Sequence, residues 1–166
     1  MHQLFVWAEL VFAAALLLAA AAHDIAARTI PNRMSALLAL DGLAIRLEQA
    51  QSASGILAAL AVFSICFLFW KRNLIGGGDV KLLSAAALLV PPPAVPRLML
   101  AVAVAGGLFA LAYCAMRPLL ARPRAVRPDR LLGRILRVER RRIRRGQSMP
   151  YASAIAAGTL FALFPG

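Results

Sequence analysis

Apolar runs about as long as a bilayer is thick fill most of this 166-residue chain, and they restrict its fold before any motif is read. A lipid core takes roughly 20 apolar residues per helix. Six stretches meet or approach that length, at 4–22, 33–50, 53–70, 80–96, 97–116 and 149–164. With 61% of its residues hydrophobic and a mean hydropathy of +0.75, the chain exceeds what a soluble core of this size uses. The segments are rich in alanine and leucine, with Gly106, Gly107, Ala154 and Gly158 where helices could pack closely in lipid. The expected fold is all-α, a polytopic membrane bundle of six transmembrane helices forming one domain over 1–166, and not a barrel.

Basic residues set the expected topology, because short loops rich in Lys and Arg stay on the cytoplasmic side. Arg28 and Arg33 lie between segments one and two, and Lys71, Arg72 and Lys81 surround the connection from three to four. Twelve arginines, from Arg117 to Arg145, fall between five and six. Alternate connections are therefore expected inside, including a basic cytoplasmic loop at 117–148. The turn from Glu48 to Ser54, the Pro91-Pro92-Pro93 turn and both termini fall outside, and Asp24 and Asp79 share the inner face.

A cleaved secretory leader is the rival reading of the first segment, since Ala20-Ala21-Ala22 offers small residues after an apolar run. The first residues carry Glu9 and no Lys or Arg, so the charged start is missing. Cys66 and Cys114 stand singly in apolar segments, where small hydrophobes pack. No CxxC spacing occurs, and His2 and His23 are too few for a metal site. Neither a metal nor another cofactor is expected; His23 borders Asp24 and could tune it.

Acids within or beside membrane segments are functional candidates, because each costs on the order of 3 kcal/mol at a helix centre. Glu9 and Glu48 are expected toward the outer surface, and Asp129 and Glu139, among arginines, as solvated ion pairs. Asp41 falls mid-helix, only loosely within reach of Arg46, and could be a buried hydrogen-bonded strut. Asp24 and Asp79 remain. Either one alone reads as a helix cap or an interfacial charge; together on one face, each in a distinctive local sequence, they read as a site.

Asp79 follows Gly76-Gly77-Gly78 at the start of the fourth segment. Three glycines permit positive φ and close approach of another chain, and the helix N-terminus favours a charged carboxylate. A phosphate-binding loop is excluded, since Lys81-Leu82 supplies neither the preceding glycine nor the following hydroxyl.

Asp24 with Ile30-Pro31-Asn32, then Gly76-Gly77-Gly78-Asp79-Val80-Lys81-Leu82, then Pro150-Tyr151 with Ala154-Ile155-Ala156 and Gly158, span nearly the whole chain. In these features the sequence resembles the type IV prepilin peptidases (peptidase A24 family) of the short CpaA/TadV-like kind, among the GxGD membrane aspartyl proteases. The resemblance implies Asp24 and Asp79 as a catalytic pair. It implies Gly76, Gly77, Gly78 and Lys81 as a supporting loop, and Pro31, Asn32, Pro150 and Tyr151 as structural support. The expected substrates are Flp-type prepilins and related pseudopilins, cut just before their hydrophobic segment at the cytoplasmic face of a bacterial inner membrane. Larger members add a cysteine-bearing cytoplasmic domain and methylate the new N-terminus; no such insertion is present, so no methyltransferase activity is implied. Ala152 stands where short relatives often have glycine.

Two carboxylates sharing a proton can activate water, and their apparent pKa values belong to the pair. Asp79 faces a helix N-terminus and Asp24 follows a helix C-terminal end, so Asp24 is expected to carry the shared proton. The glycine run could accept an extended peptide by strand addition or form a rigid turn without substrate contact. Pro128 and Asp129 mark a helix start, and Leu131, Leu132, Ile135, Leu136 and Ile143 alternate with arginines in an approximately amphipathic helix. Anionic lipid is its expected partner, ahead of pilus assembly proteins; nucleic acid is not expected, for want of aromatic platforms. Two other functions stay open at this stage, a proton- or cation-coupled transporter using Asp24, Asp41 and Asp79, and a non-catalytic pilus or secretion scaffold.

Overall fold

In the computed structural model, the described residues are 2–48, 52–120, 131–146 and 149–163, and all their regular structure is helical. The order is α1 (His2–Ala27), α2 (Asn32–Glu48), α3 (Ser52–Lys71), α4 (Gly77–Leu89), a 3-10 turn (Pro92–Ala94), α5 (Val95–Leu119), α6 (Leu131–Arg144) and α7 (Tyr151–Leu163). Each of the six apolar stretches is occupied chiefly by one α-helix, although α5 already begins at the end of the 80–96 stretch, and α6 lies within the basic stretch. Asp129 and the expected helix start at Pro128 lie outside the described residues, as does part of the turn after Glu48.

Proline sets several boundaries. Pro91 follows the end of α4, where Val90 is extended, and Pro96 occupies the first turn of α5, where a missing N–H costs nothing. Arg28 ends α1 with a φ of 57°, and its N–H bonds back to the Asp24 carbonyl at 2.8 Å.

The two shortest apolar helices form the centre. Helix α4 packs chiefly on α2 and α3, α7 packs chiefly on α1 and α5, and α4 and α7 touch each other. Composition allows this, because a helix enclosed on most sides needs small residues: Ala85, Ala86 and Ala87 in α4, and Ala152, Ala154 and Ala156 in α7, are all buried. A Cβ at Gly158 would lie 2.5 Å from the Val102 backbone nitrogen, so this glycine sets the distance between α7 and α5. Gly106 lies beneath the Tyr151 ring, whereas Gly107 faces open space and marks no contact.

Large apolar side chains such as Leu18, Leu60, Leu100, Leu108 and Phe161 point outward, as lipid requires and water does not. Three helical stretches are long and apolar enough to cross a bilayer, Trp7–Ala27, Ala53–Lys71 and Pro92–Leu119. Helices α4 and α7 have 13 residues each, about 20 Å against a lipid core of about 30 Å. The chain is a membrane protein.

Arg46 has a structural role that composition did not reveal. It is 1% exposed, and its guanidinium donates to the Leu88 and Leu89 carbonyls at 2.9 Å each, satisfying carbonyls at the C-terminal end of α4. Asp41 is not the hydrogen-bonded strut expected of it: Oδ2 is buried without a hydrogen-bond partner among the described residues. Glu9 is buried and Glu48 exposed.

Candidate active site

The C-terminal end of α1 and the N-terminal end of α4 come together because each packs on both α2 and α7. Asp24 lies in the last turns of α1, and Asp79 is the third residue of α4. Both line the same two cavities, of about 570 and 310 Å³. The larger is also walled by Arg28, Gly76, Tyr113, Cys114 and Tyr151; the smaller extends past Ile30 and Asn32 along Gly77 and Gly78.

Asp24 is 7% exposed, and its Oδ2 accepts a hydrogen bond at 3.2 Å from the Ala152 backbone N–H in the first turn of α7. This partner is invisible to an argument from the dipole of α1 alone, since it comes from a helix more than a hundred residues away. Asp79 bends back toward the Gly76 N–H, but burial and then the negative charge of Asp24 outweigh that bond and push its carboxyl up to about 6. Its place at a helix N-terminus does not by itself keep the Asp79 carboxyl charged.

The glycines are needed for space and not for unusual dihedral angles. Gly76 has φ −74° and ψ 143°, open to any residue, yet a Cβ there would lie 2.8 Å from Asp79 Oδ2. At Gly77 a Cβ would meet Trp70 Nε1 at 3.2 Å, and at Gly78 the Ile30 Cβ at 3.1 Å. Gly77 and Gly78 already belong to the first turn of α4, so the run cannot act as an added strand, and only Gly76 keeps an extended backbone.

The remaining residues singled out from sequence gather around the pair. Lys81 Nζ donates to Asn32 Oδ1 at 2.9 Å, joining α4 to the start of α2. Tyr151 lines the larger cavity. Pro31 and Pro150 line neither cavity; their carbonyls accept the N–H groups of Met34 at 3.0 Å and Ser153 at 3.2 Å, in the first turns of α2 and α7. His23 does not engage Asp24 through its Nδ1, which instead donates to the Thr29 carbonyl at 2.7 Å and ties down the turn after α1. Cys66 is buried as expected, while Cys114 is exposed on the wall of the larger cavity. Among the described residues no group of three side chains suited to a metal forms.

Sequence reasoning missed the network beside the pair. Glu139 is 8% exposed instead of solvated. Its Oε1 accepts from Arg28 Nη2 at 2.6 Å and from the Tyr113 hydroxyl at 2.7 Å, and its Oε2 from Arg142 at 3.3 Å. Arg142 also donates to the Ile25 carbonyl at 2.8 Å. Helix α6 is thereby fastened to the end of α1 and to α5, with Arg28 in the wall of both cavities. One signal was available: Ile135, Glu139 and Ile143 are spaced four apart, which places the acid on the apolar stripe of α6.

No curated protein and no solved structure matches the chain. The model of the type IV leader peptidase family matches residues 11–111, which include both aspartates and the run from Gly76 to Gly78, and end before α6 and α7. The match covers more than half of the sequence, and the chain belongs to the type IV leader peptidase family.

Proposed function

We propose that the chain is a membrane aspartyl endopeptidase that removes the leader from type IV prepilins and pseudopilins, of the Flp type, at the cytoplasmic face of the bacterial inner membrane. Membership of a leader peptidase family makes it a protease; the convergence of Asp24 and Asp79 on the same two cavities supports the two-carboxylate chemistry. The transporter and scaffold readings have no comparable support, and Asp41 lines neither cavity.

In this reading Asp24 is the base and Asp79 the acid. Asp24 takes a proton from a water, whose oxygen adds to the scissile carbonyl carbon while Asp79 gives its proton to the carbonyl oxygen. Collapse of the diol returns a proton to Asp79, and Asp24 delivers its own to the departing amine. The raised carboxyl of Asp79 and the Ala152 N–H on Asp24 support this division of roles. Gly76, Gly77 and Gly78 admit the Asp79 side chain and its neighbours, and Lys81 with Asn32 holds α4 against α2.

The same reading takes the chain as one peptidase domain of six membrane helices, of the short CpaA/TadV-like kind. The basic 117–148 connection is cytoplasmic, with α6 against anionic lipid and available to pilus assembly proteins. The test is coexpression with candidate prepilins. Asp24→Asn and Asp79→Asn should each leave the prepilin uncut while the membrane protein accumulates normally. Processing that survives either substitution would remove the pair from the mechanism.

A further inference from the structure

A second concavity begins where the active-site cavities end. It runs between α2 and α3 over α4, with a volume of about 760 Å³. Asn32 lines both this groove and the smaller Asp24–Asp79 cavity, and Lys81, bonded to Asn32, closes the groove's near end. Small residues form much of its wall, Ala39 and Ala85 among them, and Leu40, Leu60 and Phe63 are exposed along it. On α2 it extends from Asn32 to Leu43, about 17 Å, or three helical turns.

The groove's chemistry restricts what can occupy it. Beyond Asn32 and Lys81 its polar side chains are Ser35 and Ser84, and Ser84 Oγ already donates to the Val80 carbonyl at 2.7 Å. An occupant must therefore satisfy its own backbone groups, which excludes an extended peptide and leaves a helix or an acyl chain. The groove meets the Asp24–Asp79 cavity at Asn32, so a polypeptide leaving that cavity enters it directly, which favours a helix continuous with the cleaved peptide over a separate acyl chain.

We propose that this groove seats the apolar helix of the substrate, so that the chain passes from the Asp24–Asp79 cavity by Asn32 directly into about three helical turns packed on α2, α3 and α4. The proposal rests on the leader-peptidase reading and adds to it how a membrane-embedded substrate is held. Small wall residues permit close helix contact.

The test uses the purified full-length protein and two substrates, one carrying the leader and its apolar helix, the other ending a few residues beyond the scissile bond. Ala36→Trp and Ala39→Phe fill the groove from α2, and Leu108→Trp on the outer face of α5 serves as control. Filling should raise KM for the helix-bearing substrate tenfold or more and leave kcat/KM for the short one unchanged. Wild-type kinetics in both filled variants would overturn the proposal. So would loss of a copurifying lipid on filling without change in KM, which assigns the groove to an acyl chain. Should wild type cut neither substrate, the leader-peptidase reading falls, and photo-crosslinking decides the groove separately. A benzoyl-phenylalanine in place of Leu40, in the Asp79→Asn background, should capture the apolar helix when one in place of Leu108 does not; equal capture at both refutes the site.

Discussion

Replacing Gly76 by alanine separates the two physical reasons a glycine can stand beside an aspartate. If the position served conformational freedom, alanine would strain the backbone; at φ −74° and ψ 143° it does not. The cost falls on the carboxylate, because the new Cβ would sit 2.8 Å from Asp79 Oδ2, whereas ordinary contact is about 3.5 Å. The oxygen must retreat by roughly 0.7 Å. A misplacement of about 1 Å costs on the order of 100-fold in rate, so the expected loss is about 30-fold in kcat, roughly 2 kcal/mol of barrier. Thermal stability in detergent should stay within about 0.5 kcal/mol of wild type, since no core contact is lost. The assay is gel-resolved cleavage of a prepilin by purified protein, with Gly107→Ala, which meets nothing within 4 Å, as control. Wild-type kcat in Gly76→Ala, or a loss explained by unfolding, would refute the steric account.

The Asp79 carboxyl, raised from 3.8 to about 6, binds a proton in the folded protein that the unfolded chain releases. Its contribution to stability is therefore complete below pH 3.8, falls as pH rises toward 6, and is gone above that value; thermal midpoints across that range should lose this component in Asp79→Asn. Cleavage should decline above pH about 6 as the same proton is lost, and a rate that rises through that range would contradict the role of Asp79 as acid. Glu139→Gln removes the charge that Arg28 and Arg142 share, costing about 2 kcal/mol of stability in a denaturation series; an unchanged midpoint would show the network to be incidental. Gly158→Ala forces α7 away from Val102, and overpacking of this kind costs about 1–3 kcal/mol, measurable in the same way.

Most of the helical framework was legible in the sequence because each apolar run reports its own burial. The aspartate pair was legible because Asp24 and Asp79 carry local signatures. What could not be read were the contacts made by distant partners. The bond from Ala152 to Asp24 requires α7 to begin beside the end of α1, and the Arg46 caps require α2 to lie along the end of α4. The glycine run was misjudged for a related reason. Its residues yield space to Asp79, Trp70 and Ile30, two of them outside the local sequence, while a composition argument sees only backbone freedom. Glu139 lay on the apolar stripe of α6, but twelve surrounding arginines made solvent the simpler expectation.

The bond between Ala152 and Asp24 bears on how such a protein is made. Both aspartates are synthesised before the N–H that donates to Asp24, so a chain translated only as far as α5 holds both acids without the arrangement proposed to make them reactive. In the proposed mechanism, hydrolytic capacity then arises only once α7 has inserted beside α1.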